Sequence, residues 1–348
     1  MYHTYITLLV PALLAFIITV IATRFIIGYM LESGITGMDH NKGKRAITLP
    51  SSGGIATAVG FTIGVLAYAF GSSFNLYMPV ASLRYLFATV IAVLLVTIVG
   101  FLDDLNVSRK MVRTTDMMDT HKGLKQWQKP LLTLMGALPL MAINAGVSIV
   151  RLPFVGNVNF GIFYPLIIVP LAVIFTANAF NLLGGFDGIA SGTGALASLA
   201  MLIYSLIFGT YIGTLISSIL FATLLGFLIF NLYPAKIIPG DSYTYFVGVA
   251  LVTDMIVGNM ESFGVIIFMP WIIEFFLHLR RKFKVKDLGI RQKDGTFKAP
   301  YGKKIYSLAH IAMNVLKKPY EWKVSMFAWG VEIGFIVIAF ALKLLNLL

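Results

Sequence analysis

Four stretches of this chain hold the residue types that handle metal and phosphate. They are Asp103-Asp104 within "VGFLDDLNVSRK", the run "NAFNLLGGFDGIASG" (Asn178 to Gly192) with Asn181 and Asp187, "FNLYPAKIIPGDSYTYF" (Phe230 to Phe246) with Asp241, and the basic loop that opens "HLRRKFKVK" at His278. Asp103, Asp104 and Asp241 are hard oxygen donors, and Asn181 offers an amide oxygen. Such a set, with no cysteine and its histidines scattered singly, suits Mg²⁺ or Mn²⁺ rather than zinc. Mg²⁺ takes one or two protein carboxylates and completes its shell with water and substrate phosphate. Gly184-Gly185 and Pro239-Gly240-Asp241 let backbone come close to a ligand, and lysines and arginines neutralise phosphate oxygens. Taken singly, a carboxylate at a helix end is ordinarily a solvated charge, and an Asn- or Gly-rich turn is ordinarily a turn device. Their joint occurrence reads as metal-assisted handling of a phosphorylated substrate.

The elements that must position these residues are membrane helices. Of the 348 residues, 58% are hydrophobic and 12% charged, against about a quarter charged in a soluble domain. Apolar runs able to cross a bilayer core, roughly 17 to 25 residues each, recur ten times, at about 5–31, 53–71, 85–101, 130–150, 163–180, 189–210, 213–231, 243–258, 263–279 and 325–347. The first has no basic n-region and no small-residue cleavage site, so it reads as a retained helix. The absence of cysteine excludes disulfides and thiol catalysis.

Charge sorts by side. The loops after the odd-numbered spans hold Lys42, Lys44 and Arg45, six basic residues from Arg109 to Lys129, Lys236, and thirteen from Arg280 to Lys323, which is 23 of the 27 in the chain. The positive-inside rule then puts both termini outside and these loops in the cytoplasm. Asp39, Asp103, Asp104, Asp116, Asp119, Asp187 and Asp241 fall in the same loops, so an active site opens to the cytoplasm. Ser148 to Gly161 reads as an external β-hairpin around a Gly-Asn turn, and Ile290 to Ala299 as a cytoplasmic hairpin with a type I′ turn at Asp294-Gly295. Without repeats or linkers, the expectation is one all-α membrane-embedded domain over 1–348, with cytoplasmic loops at about 32–52, 102–129, 181–188, 232–242 and 280–324.

Five blocks in order, "DHNKGKRAITLPSSGG" (Asp39 to Gly54), "GFLDD", "KGLKQWQKPLL" (Lys122 to Leu132), "NAFNLLGGFDG" and "FNLYPAKIIPGD", span nearly the whole chain. In them it resembles the polyprenyl-phosphate N-acetylhexosamine-1-phosphate transferases, ten-span enzymes that move a sugar phosphate from a UDP-sugar onto a lipid phosphate. The resemblance implies that Asp103 and Asp104 are the family's paired aspartates and that Asn181 and Asp241 are its magnesium ligands. It implies that Asp187, with Gly185 beside it, contacts the uracil and that Lys129 approaches the diphosphate. Asn41 and Lys42, in the first block, are carried over as substrate-binding positions. Bacterial members that handle the muramyl pentapeptide have a histidine triplet in the last cytoplasmic loop. Here stand Arg280, Arg281 and Lys282, nearer the eukaryotic and archaeal N-acetylglucosamine enzymes with their arginine-rich segment; which of the three binds substrate stays open. Two departures are Ile238, where the family often has an aromatic residue, and a longer stretch between Asp104 and Lys129.

The implied reaction is transfer of N-acetylglucosamine-1-phosphate from UDP-GlcNAc to a dolichyl-type phosphate, with Mg²⁺ (or Mn²⁺) as cofactor and UMP as the second product. One of Asp103 and Asp104 would take a proton and the other would orient metal, lysine or water; the sequence leaves that assignment open. The alternative is the same chemistry with another UDP-sugar, such as UDP-MurNAc-pentapeptide. A cation-coupled transporter is the distant alternative, and it would need internal repeats and broken spans at matching positions. A CDP-alcohol phosphotransferase fails because "FDGIASG" lacks that family's arginine and later aspartates. The expected partners are a UDP-sugar, a polyprenyl phosphate, the membrane and a second copy in a homodimer, with no nucleic acid. The expected place is a prokaryotic cell membrane, or the ER membrane in a eukaryote.

Overall fold

A computed structural model describes residues 2–39, 41, 47–74, 76, 82–105, 112–114, 117–119, 123–152 and 155–348. Lys42 and Asp116 lie outside them. Among the described residues six helices are long and apolar enough to cross a membrane. They are α1 (Tyr2–Glu32), α2 (Gly54–Ser73), α3 (Leu83–Asp104), α7 (Ile189–Phe208), α8 (Tyr211–Asn231) and α13 (Glu321–Leu344). The remaining apolar runs are broken or shorter. Between α3 and α7 lie α4 (Gln128–Thr133) and α5 (Leu138–Ala142), then a π-turn over Tyr164–Ile168 leading into α6 (Val169–Phe180). After α8 come α9 (Gly240–Val257), α10 (Glu261–Ile267), α11 (Met269–Leu279) and the short α12 (Leu308–Val315).

The interruptions have local causes. Run 130–150 carries Pro130, Gly136 and Pro139, and a tight 3-10 turn over Leu134–Ala137 splits it; proline removes a backbone donor and crowds the preceding turn. Run 263–279 bends by 55° between α10 and α11, where Pro270 occupies the first turn of α11. These segments therefore differ from the continuous spans that hydropathy alone suggests.

Helix α9 is the centre. It packs against α2, α3 and α6, and every residue from Ser242 to Val257 is buried. A helix enclosed by protein on all sides has no lipid face, which is why Ser242, Thr244, Thr253 and Asp254 are tolerated in it. In α1 and α13 only 28% of the membrane window is buried, against 67% in α8, so these two lie at the periphery. Small residues let the helices close up: a side chain on Gly64 of α2 would fall 2.8 Å from Ala15 of α1 and 2.7 Å from Ile219 of α8, as expected where lipid supplies no hydrophobic drive.

Among the described residues four separate antiparallel hairpins occupy the loops, β1 (Thr36–Asp39) with β2 (Ile47–Pro50), β3 (Val112–Thr114) with β4 (Met117–Asp119), β5 (Ile149–Leu152) with β6 (Gly156–Asn159), and β7 (Ile290–Arg291) with β8 (Phe297–Lys298). Asp119 thus lies on β4. Two turn assignments need correction. Gly156 and Asn157 are strand residues paired with Leu152 and Arg151, so the reversal precedes them. In the last hairpin only Gly295 has positive φ. The Gly295 N–H bonds the Gln292 carbonyl and the Gln292 N–H bonds that of Thr296, so the loop has three residues with Gly295 as the left-handed one, not the two-residue type I′ turn. The Asp294 carboxylate accepts from the backbone N–H and hydroxyl of Thr296.

Candidate active site

The paired aspartates close α3, and adjacency sends them to different partners. Asp104 Oδ1 accepts the backbone N–H of Asp241 at 2.6 Å, and its Oδ2 accepts that of Ser242 at 3.1 Å. Those are N–H groups of the first turn of α9, which have no partner inside the helix and face the positive end of its dipole. Gly240 sits at φ +73°, and a Cβ there would run into the Asp104 carboxylate; glycine is what lets the cap seat. Asp104 therefore fastens α9, and with it Asp241, to the end of α3.

Asp103 faces the other way. Its Oδ1 accepts the N–H of Leu124 at 2.6 Å, and its Oδ2 lies 2.5 Å from Lys129 Nζ. The same ammonium is 3.0 Å from Asp241 Oδ2. Lys129 enters from the first turn of α4, which is held to α6 by a hydrogen bond from Asn178 to Thr133. Although burial opposes its charge, the carboxylates of Asp241 and Asp103 raise the Lys129 pKa above the ordinary lysine value. Asn181, at the C-cap of α6, accepts from the Thr244 hydroxyl at 3.0 Å through Oδ1, one helical turn from Asp241.

These groups open on a cavity of about 320 Å³. Its lining includes Asn181, Asp241 and Thr244 together with Asp39, Asn41, Gly184, Gly185, Phe186 and Asp187. Within the lining Asn41 Nδ2 donates to the Gly185 carbonyl at 2.5 Å, Gly185 taking φ +90°. Asp187 Oδ2 accepts the N–H of Ala235 at 2.8 Å. Asp39, Asp187 and Glu321 bring carboxylate oxygens within 4.8 Å of one another. Asp103 and Asp241 flank the Lys129 ammonium, and with the Asn181 amide oxygen they offer only oxygen donors, a chemistry that suits a hard divalent cation. The arrangement brings acidic groups able to bind a metal and two adjacent glycines to one cavity, with the Lys129 ammonium joined to it through Asp241.

Residues 86–259 match the profile of glycosyl transferase family 4. The chain is 34% identical over 339 residues, 97% of each chain, to a Saccharolobus solfataricus protein named provisionally as a UDP-N-acetylglucosamine–dolichyl-phosphate N-acetylglucosaminephosphotransferase. The chain belongs to glycosyl transferase family 4. A Dictyostelium discoideum UDP-N-acetylglucosamine–dolichyl-phosphate N-acetylglucosaminephosphotransferase is 25% identical, covering 73% of this chain and 67% of its own. A Halalkalibacterium halodurans phospho-N-acetylmuramoyl-pentapeptide-transferase is 27% identical over 97% of each.

Of the residues singled out in this family 4 sequence, Asn41, Asn181, Gly185, Asp187 and Asp241 line the cavity, with Asp103 and Lys129 joined to it through Asp241. Arg280, Arg281 and Lys282 do not line it. The Arg281 guanidinium lies 4.4 Å over the Tyr301 ring and that of Arg280 lies 5.3 Å over Tyr306, while Lys282 follows in a left-handed turn. His310, in the same loop, is fully buried; Nδ1 accepts from the N–H of Tyr306 and Nε2 faces the Lys286 carbonyl. Arg291 of that loop reaches a cavity-lining residue, donating to the Asn41 carbonyl at 3.0 Å. Its signal was its place beside the Asp294-Gly295 turn, which projects it back over the first loop. Ile238 lines the cavity at the position of the family's aromatic residue.

Proposed function

We propose that this chain transfers N-acetylglucosamine-1-phosphate from UDP-GlcNAc to a dolichyl-type polyprenyl phosphate, giving polyprenyl-diphosphate-GlcNAc and UMP. The observation that carries the reading is Lys129 held between Asp103 and Asp241 at a cavity lined by Asp241 and by the 184–187 loop. A UDP-sugar laid along it places uridine at that loop and its diphosphate at the lysine. An oxygen of the lipid phosphate attacks the β-phosphorus, the bond from that phosphorus to the bridging oxygen breaks, and UMP leaves. Lys129 stabilises negative charge building on the diphosphate, a role for preorganised electrostatics. A phosphate monoester has its second pKa near ~6, so most of the nucleophile is already ionised at neutral pH. Asp103, its Oδ2 turned to Lys129, takes the proton of the remaining fraction, and Asp104 holds the frame. Mg²⁺ (or Mn²⁺) held by Asp241 and Asn181 would supply charge neutralisation at the diphosphate.

In this reading α4–α5, α6, α9 and α10–α11 cross the membrane alongside the six long helices, ten in all, with the site on the cytoplasmic face where lysine and arginine concentrate. N-acetylglucosamine is favoured over the muramyl pentapeptide because no histidine lines the cavity among the described residues, and because the relatives of 34% and 25% identity carry the N-acetylglucosamine name. The test is UMP release by purified protein from UDP-GlcNAc and polyprenyl phosphate, with and without Mg²⁺, beside Asp241→Ala. Metal-dependent release that vanishes in the variant is expected. Release from UDP-MurNAc-pentapeptide alone would keep the reaction class and overturn the sugar. No release from any UDP-sugar by folded protein would overturn the function.

A further inference from the structure

Three side chains of α13 stand at four-residue spacing and all bind one piece of backbone. Glu321 Oε1 accepts the N–H of Asp187 at 3.3 Å, Ser325 Oγ donates to the Asp187 carbonyl at 2.7 Å, and Trp329 Nε1 donates to the Gly188 carbonyl at 2.9 Å. Residues i, i+4 and i+8 stack along one helix face, so this stripe meets the cavity-lining loop just before it enters α7. The sequence of α7 is cut to receive it. A Cβ on Gly192 would collide with the Trp329 indole at Cε2 and Nε1, and Gly188 reaches its position at φ +78°. An apolar stripe would pack two helices equally well. Here each of the three side chains has a hydrogen bond to the backbone of Asp187 or Gly188, whose neighbours Gly184, Gly185 and Phe186 line the cavity with Asp187.

We infer that the terminal membrane helix α13 is part of the nucleotide site, with Glu321, Ser325 and Trp329 as positioning residues that hold the 187–188 backbone so that Asp187 and Gly185 meet the uridine of the UDP-sugar. This rests on the proposed function. Displacing the loop from α13 breaks three hydrogen bonds at once, and the Ala235 N–H bonded to Asp187 goes with it. The consequence is a defect in nucleotide affinity, with lipid-phosphate affinity spared.

The test uses the full-length protein and two independent deletions. Ser325→Ala removes the hydroxyl and Ser325→Thr keeps it; Trp329→Phe removes the indole N–H and keeps an aromatic ring. UDP binding is measured by isothermal titration, and KM and kcat by UMP release. Losing one hydrogen bond is expected to weaken UDP binding and raise the KM for UDP-GlcNAc about threefold to tenfold in both deletions. The KM for polyprenyl phosphate should hold, and Ser325→Thr should restore the wild-type values. If wild type binds UDP and both deletions bind it equally well, the inference falls and the function stands. A fall in kcat with KM and UDP affinity unchanged makes the stripe merely structural and also overturns it. Absence of UDP binding by the wild type overturns both readings.

Discussion

Gly100 decides how close α3 comes to α9, and adding one methyl group there tests whether the site depends on that approach. A Cβ at residue 100 would lie 2.5 Å from the Asp241 carbonyl oxygen, 2.5 Å from Ser242 Cα and 2.6 Å from the Asp241 carbonyl carbon. Ordinary contact begins near 3.4 Å, and all three neighbours are backbone, so no side chain can swing aside. In Gly100→Ala the first turn of α9 must retreat by about 0.9 Å, carrying Asp241 away from Lys129 and from the Asp104 cap. A misplacement near 1 Å costs about a hundredfold in rate, and overpacking of this kind costs about 1–3 kcal/mol of stability. The assay is initial-rate UMP release at saturating substrates and metal, with thermal unfolding in detergent alongside. Gly334→Ala, on α13 with no atom within 4 Å of its added carbon, should behave as wild type in both. If Gly100→Ala keeps its rate within about threefold and its unfolding temperature, then either α9 slides freely or Asp241 does not need its place, and the reasoning from close approach fails.

The paired aspartates should separate by phenotype. Asp104→Asn leaves two α9 N–H groups poorly met, at about 1–3 kcal/mol, and lowers unfolding temperature and UMP release together; Asp103→Asn should cut UMP release about a hundredfold or more with a smaller thermal loss, and equal thermal losses would contradict the division. Lys129→Met should cost about 10²- to 10³-fold in kcat, as expected for a transition-state charge stabiliser. Because its neighbours raise the Lys129 pKa, the stability it contributes is complete below the ordinary lysine value of about 10.4 and is lost only as pH rises through the higher folded value. The wild-type minus Lys129→Met difference in unfolding temperature should therefore not shrink from pH 8 to 10 in parallel melts. Chelation should abolish UMP release, and Mg²⁺ at about a hundred times its Kd should stabilise the wild type by about 2.7 kcal/mol while leaving Asp241→Ala unshifted, as read by thermal unfolding without substrate.

The spans most legible in the sequence are those whose apolar run is unbroken. The ends of α2, α3, α7 and α8 fall within three residues of the hydropathy boundaries. Run 130–150 is broken rather than continuous, and hydropathy does not show it because it weighs side chains and ignores the missing N–H of Pro130 and Pro139. Helix α9 inverts the usual inference, since the most enclosed helix is among the least apolar. At the site, residue type and the inside-loop pattern pick out Asp103, Asn181, Asp187 and Asp241, but pairing across the chain was illegible: nothing in the spacing tells that Asp104 caps a helix 137 residues away. Arg280 to Lys282 are marked out by the resemblance rather than by spacing. The structure sets the Arg281 and Arg280 guanidinium groups over Tyr301 and Tyr306, and the hairpin brings Arg291 to the Asn41 carbonyl.

The adjacency of the two aspartates is itself a geometric requirement. Successive residues of an α-helix point about 100° apart, from 3.6 residues per turn. Two carboxylates on the last two residues of α3 therefore reach two elements from one helix end: the N-terminus of α9 through Asp104 and Lys129 of α4 through Asp103. Asp241 closes the circuit, for it stands in the turn that Asp104 caps and shares the ammonium that Asp103 holds. A single aspartate could fasten α9 or face Lys129, but not both, and a spacing of three or four residues would put both carboxylates on one face. Moving either aspartate by one position, as in a swap that leaves charge and composition intact, should thus abolish the site as fully as deleting it.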